Sequence, residues 1–148
     1  MSSSLNNLLT YEENNKIAIL TLNRPNQQNS LSSELMKALI YKLDEIKDNK
    51  NIKVVILLAN GKNFCAGHDL KELKIDKSEK RFKQIFELCS KLMLKIVRLP
   101  KPVIAGVQGI STAAGCQLVA SCDLAIASNT SKFATPGVNI GLFCSTPM

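Results

Sequence analysis

The stretch VVILLANGKNFCAGHDL, residues 54 to 70, passes from an unbroken apolar run into a loop crowded with small and polar residues. A short apolar run bounded by turn residues is the pattern of a strand buried on both faces, as in a parallel sheet. A loop at the end of such a strand is held in place by it, which suits a binding or reacting group. The passage recurs downstream: the strand-like VIAGVQG at 103 to 109 runs into ISTAAGC, and a short helix is expected over 113–121.

Upstream, LLTYEENNKIAILTLNRP (8 to 25) reads as a hairpin, two β-prone runs joined by a polar Asn-Asn-Lys turn. Ser32 is a plausible N-cap for a helix whose apolar stripe is Leu35, Met36, Leu39, Ile40, Leu43 and Ile46. A second helix is predicted from about Ser78 to Leu99, introduced by Asp76 and Glu79 in a near capping-box arrangement and stopped by Pro100-Lys101-Pro102. Its apolar face would carry Phe82, Ile85, Phe86, Cys89, Leu92, Met93 and Ile96. A further strand is expected at DLAIAS, 123 to 128. Strand, loop and helix alternate, so the chain reads as one α/β domain over residues 1–148. Gly-rich loop sequence runs to Pro147-Met148 with no closing element, which reads as a domain cut short.

At 148 residues and 45% hydrophobic content the chain can bury a real core. Its apolar runs fall far short of the roughly 20 residues of a membrane helix, and no signal or transit pattern precedes Lys16, so a non-membrane protein is expected, cytoplasmic as in bacteria, or mitochondrial only where a eukaryotic source supplies a separate transit peptide. Cys65, Cys89, Cys116, Cys122 and Cys144 form no C-x-x-C pair, and His68 is the one imidazole, so buried thiols and no metal site are expected. A net charge of +7 invites a nucleic-acid reading. The lysines, however, sit singly among Glu and Asp along the predicted helices, and aromatic residues are too few, at 5%, for a stacking platform. A small polyphosphorylated ligand fits the charge better.

FCAGHDL and ISTAAGC each bring small residues, and hence open backbone, to the end of a strand. Tight turns of this kind expose N–H groups that no helical carbonyl satisfies. Two such donors converging on one carbonyl oxygen would polarise it and stabilise an enolate or tetrahedral anion. Taken one at a time, both are also ordinary strand-to-helix turns.

NRPNQQNSLSSEL, VVILLANGKNFCAGHDLKEL, KPVIAGVQGISTAAGCQLVASCDLAIAS and FATPGVNIGLF stand in the order found in the crotonase, or enoyl-CoA hydratase/isomerase, superfamily, which the chain resembles over nearly all of residues 8 to 147. The resemblance implies a crotonase-type spiral of ββα units lacking the usual C-terminal helices. It also implies an acyl-CoA ligand of fatty-acid metabolism and an oxyanion hole of two backbone N–H groups. The first donor of the A-G-x-D segment falls on His68; the second, three residues before the glutamate of the G-G-G-x-E segment, falls on Ala114. Ala66, Asp69, Leu70 and Lys71 match positions around the CoA, with Arg24 and Lys62 as weaker phosphate candidates. The His68 side chain invites a general-base reading, but the family uses the main chain there.

The departures bear on mechanism. The family's two glutamates fall on Gln117 and Gly137, and neither an amide nor a glycine can transfer a proton near neutrality. Ordinary hydration of an enoyl-CoA is therefore not expected. The dihydroxynaphthoyl-CoA synthases also have glycine at the second position, where a bound anion such as bicarbonate would fill the gap; Cys144 or Ser145 are the other candidates. The resemblance implies no cofactor beyond the coenzyme A of the substrate, and a homotrimer or hexamer. The competing reading is a non-catalytic acyl-CoA-binding or regulatory protein, or an inactive fragment.

Overall fold

Asn15 and Lys16 take positive φ, 48° and 69°, and close the turn between β1 (Leu9–Asn14) and β2 (Ile17–Leu22), antiparallel with Leu9 opposite Leu22. A turn of that hand follows the twist of paired strands, so the expected hairpin forms. The computed structural model describes residues 7–141. Ser32 caps α1 (Ser33–Asp48), its hydroxyl accepting from the Leu35 N–H at 3.2 Å. Next come β3 (Val54–Ala59), a short α2 (Leu70–Ile75) and the long α3 (Glu79–Val97). The chain continues through β4 (Val103–Val107), β5 (Ile110–Thr112), α4 (Ala114–Ala120), β6 (Leu124–Ala127) and β7 (Lys132–Ala134).

The main sheet has the order β1-β2-β3-β4-β6, antiparallel between β1 and β2 and parallel from β2 onward; β5 and β7 form a separate parallel pair. The fold is thus α/β with a parallel-dominated sheet. One core joins Leu20 and Leu22 of β2, Val55 and Leu57 of β3 and Val103, Ala105 and Val107 of β4 to the apolar stripes of α1 and α3. Burial of those stripes is the main stabilising contribution, at about 1.5–3 kcal/mol for each fully buried large side chain.

Three expectations need correction. β3 is buried on one face only: Val55 and Leu57 are inside, while Val54 and Ile56 on the opposite face are half-buried. The cap of α3 is Ser78, whose hydroxyl accepts from the Arg81 N–H, and Asp76 instead accepts from the Ser78 N–H in the turn before it. The buried stripe of α3 is Ile85, Cys89, Leu92, Met93 and Ile96; Phe82 is half-buried and Phe86, at the stripe's edge, is 48% exposed. The lengths of α2, β5 and β7 explain why no periodicity announced them.

Cys65 and Cys89 are buried thiols, and burial pushes their pKa up to about 12 and about 11. At neutral pH both stay protonated, apolar fillers rather than nucleophiles.

Candidate functional site

The two glycine-bearing loops lie side by side. Phe64 N–H donates to the Gln108 carbonyl, Cys65 N–H to that of Ile110, and Thr112 N–H back to that of Cys65 at 3.0 Å, a parallel bridge between Cys65 and Ser111. The Thr112 hydroxyl adds a bond to the Ala66 carbonyl. His68 and Ala114 each stand three residues beyond this bridge, so the ladder carries both to the same end of the pair.

The first loop is held from its other side as well. Leu31 N–H donates to the Gly67 carbonyl at 2.7 Å, and the Asp69 N–H donates to the Leu31 carbonyl at 3.2 Å, a parallel bridge of Leu31 to His68. In such a bridge the central residue's own N–H and C=O face away from the partner. The His68 N–H is therefore directed away from Leu31, to the side on which residues 110 to 114 lie. Among the described residues no acceptor takes the N–H of His68 or of Ala114. A Cβ added to Gly67 would lie 2.9 Å from the Thr112 carbonyl oxygen and 3.3 Å from the Ala114 nitrogen, which measures how closely the two turns approach. The structure thus brings close together the two turns that carry His68 and Ala114.

Gly115 makes the approach possible. A Cβ there would stand 2.3 Å from the Cys65 carbonyl oxygen, so the first turn of α4 can lie against the Cys65 loop only without a side chain. Ala113, just before α4, takes φ 50° and ψ −122°, a conformation suited to glycine, and its N–H donates to the Ala134 carbonyl at 2.8 Å. Strain of this kind typically costs 1–3 kcal/mol. Ala113→Gly is expected to raise stability by about 1 kcal/mol, the relief exceeding the added freedom of the unfolded chain; urea midpoints of the two proteins measure it. The same bond brings β7 to the turn, and Gly137, buried, follows Ala134 by three residues.

The remaining candidates separate. Asp69 is buried and caps α2 through the Lys71 N–H at 3.0 Å while pairing with Arg24 at 2.8 Å. Burial alone would raise its pKa, but the Arg24 hydrogen bond, the Lys71 N–H and the Arg24 charge outweigh it and hold the carboxyl below the usual range. Arg24 is turned inward onto Asp69 and the Ser30 carbonyl, which corrects its reading as a phosphate contact. Lys62, Ala66, Leu70 and Lys71 are exposed, and Gln117 is half-buried. Cys144 and Ser145 lie outside the described residues.

Sequence reasoning missed Asn29, fully buried, whose side chain accepts from the Arg24 N–H and donates to the Asn60 and Asn63 carbonyls at 2.8 Å. It ties the loop before α1 to the turn after β3, and the run of amides in NRPNQQNS is the signal that could have found it.

The His68 ring lies edge-on to Phe86, 5.2 Å between centroids, and its buried Nδ1 has no partner among the described residues. Burial lowers its pKa, with Glu72 opposing in part. An unfolded chain therefore takes up the proton first. The stability linked to neutral His68 is complete above the ordinary value of 6.5 and declines as pH falls below it toward the folded-state pKa. His68→Gln is expected to flatten that part of the stability profile, as denaturation midpoints from about pH 7.5 to 5 would show.

The family profile described as enoyl-CoA hydratase/isomerase matches residues 12–147. The enoyl-CoA hydratase domain-containing protein 3, mitochondrial, of Xenopus laevis is 47% identical over 140 residues, 95% of this chain and 48% of that protein. The short-chain-enoyl-CoA hydratase of Clostridium acetobutylicum is 36% identical, over 93% of this chain and 52% of its own. Among solved structures, an enoyl-CoA hydratase of Mycobacterium smegmatis superposes with a TM-score of 0.92 at 48% identity, over 95% of this chain and 55% of that one. The human domain-containing protein 3 superposes at 0.90 and 46%, over the same shares. The chain spans about half the length of the relatives it matches. The cytoplasmic expectation finds no support in the vertebrate names, which specify mitochondria.

Proposed function

The chain belongs to the enoyl-CoA hydratase/isomerase family, and from that premise we propose that it holds an acyl-CoA thioester with the carbonyl oxygen between the N–H groups of His68 and Ala114. The observation that supports the reading is the close approach of the 65–68 and 112–114 turns, which carry two backbone N–H groups that no protein acceptor takes among the described residues. Preorganised donors aimed at a developing oxyanion favour enolate or tetrahedral charge over the neutral carbonyl. Ala66, Leu70 and Lys71, exposed beside the first donor, would flank the coenzyme A moiety, and Asp69 would act through the backbone it holds. The setting would be fatty-acid metabolism, with no further cofactor, in a homotrimer or hexamer whose mass sedimentation would read.

Hydration of a simple enoyl-CoA is not part of the proposal. Gln117 carries an amide and Gly137 no side chain, so a chemical step would have to take its proton transfer from the substrate, from a water, or from an anion such as bicarbonate beside Gly137. The same two residues favour a second reading, an acyl-CoA-binding protein that polarises its ligand without turning it over.

Binding of cinnamoyl-CoA tests the common premise. Its conjugated thioester absorbs at longer wavelength when the carbonyl is polarised, so a red shift on titration is expected. Binding without any shift, or no binding, would refute the two-amide hole. A turnover screen across enoyl-, β-hydroxyacyl- and malonyl-type thioesters then separates the two readings.

A further inference from the structure

The proposed site draws on Lys71 but on little else of the +7 charge, and the fold gathers part of the remainder in one place. Lysines that stand singly in the sequence come together where the end of α1 meets the outward face of α3. A groove of about 800 Å³ there is bordered by Lys47 of α1 and by Lys83, Lys91, Lys95 and Arg98 along α3, against one carboxylate, Glu87. Lys95 pairs with Asp44; the other four cations have no ion-pair partner among the described residues. The apolar part of the lining is Phe86, Leu94 and Leu99, with Phe86 48% and Leu94 46% exposed.

Four classes of occupant could meet such a surface, and the geometry separates them. A bilayer is flat, whereas this surface is concave. A single strand would stack its bases on aromatic side chains, and Phe86 is the sole aromatic in the lining; a duplex presents phosphates and leaves the exposed Phe86 and Leu94 without an apolar partner. A small amphiphile is normally enclosed over most of its surface, whereas this groove is lined almost wholly by one helix, α3, with Lys47 of α1 at its edge. From Lys83 to Arg98 it extends roughly 22 Å at 1.5 Å per residue, the length of about four helical turns. An apolar floor flanked by cations over that distance matches a helix laid lengthwise with an apolar stripe down and carboxylates on its flanks.

We infer that the α1–α3 groove is a docking site for an acidic amphipathic helix, its apolar stripe on Phe86 and Leu94 and its carboxylates on Lys47, Lys83, Lys91 and Arg98. Charge sets the specificity and speeds the encounter, and the apolar contacts hold the complex.

The test is fluorescence anisotropy on the full chain with a labelled peptide of about 16 residues, leucines on one helical face and glutamates elsewhere, roughly the groove's four turns. Saturable binding is expected, weakened at least tenfold by K91E/R98E, substitutions remote from the oxyanion loops, and weakened by salt. A peptide with lysine in place of glutamate should prefer the K91E/R98E chain, an exchange that misfolding cannot produce; thermal melts confirm that the variant folds. No binding, equal binding of a scrambled peptide of the same composition, or indifference to the charge reversal would overturn the inference. So would displacement of the peptide by inorganic polyphosphate or anionic vesicles with higher affinity than the peptide itself.

Discussion

Gly67→Ala is expected to abolish the spectral shift of bound cinnamoyl-CoA and to lower the stability of the fold by about 2–4 kcal/mol. The two effects have one origin. Gly67 has φ 89°, where a side chain is strained whatever the space around it, and the added methyl carbon would stand 2.9 Å from the Thr112 carbonyl oxygen, 3.1 Å from the Ala113 side chain and 3.3 Å from the Ala114 nitrogen. Relief requires the 65–68 loop and the 112–114 turn to separate. That movement parts the two N–H groups that would share one oxygen, and hydrogen bonds weaken steeply as length and angle depart from ideal. Denaturant midpoints measure the first effect and the ligand's absorbance the second. A Gly67→Ala protein that keeps the full shift would show that the carbonyl is not held between these turns.

The site was legible to the extent that it is made of backbone. FCAGHDL and ISTAAGC announce open main chain at strand ends, and the structure lays these two loops side by side with His68 and Ala114 toward the same end, while the donor role of the two residues comes from the family resemblance alone. The hairpin and the cap of α1 were legible because a two-residue turn and a serine before an apolar stripe act locally. Long-range geometry was not. Arg24 and Asp69 are 45 residues apart, and nothing local says that the guanidinium turns inward to a carboxylate rather than outward to a phosphate. The gathering of Lys47 with Lys83, Lys91 and Arg98 is hidden for the same reason: each is an ordinary solvated position on its own helix until α1 and α3 pack. β5 and β7 escaped because three residues carry no period, and their pairing joins segments some twenty residues apart, flanked by the Lys132–Gly109 and Ala113–Ala134 bonds.

Arg24→Met is expected to cost about 3–5 kcal/mol, because it leaves the Asp69 carboxylate buried without its partner. The two side chains are 13% and 10% exposed, so water cannot take over the role of the guanidinium. In the native chain the Arg24 contact and the Lys71 N–H hold the Asp69 pKa below its ordinary 3.8 against the opposing effect of burial. The stability this provides is present above that value and is lost as pH falls through the folded-state pKa. Without Arg24 the burial effect is left opposed mainly by the Lys71 N–H, and the carboxyl pKa moves upward. The deficit of the variant should then be greatest near neutrality and shrink as the solution is acidified toward the carboxylate range, where Asp69 takes a proton. Arg24→Met combined with Asp69→Asn should recover part of the loss at neutral pH and remove its pH dependence, because no buried charge remains. Arg24→Lys should fall between, keeping the charge but lacking the fork that reaches Asp69 and the Ser30 carbonyl together. Urea midpoints for the four proteins from about pH 4 to pH 7.5 give the pattern. A deficit of Arg24→Met that stays constant over that range would mean that the lost energy comes from packing and not from an unpaired carboxylate beside the His68 donor.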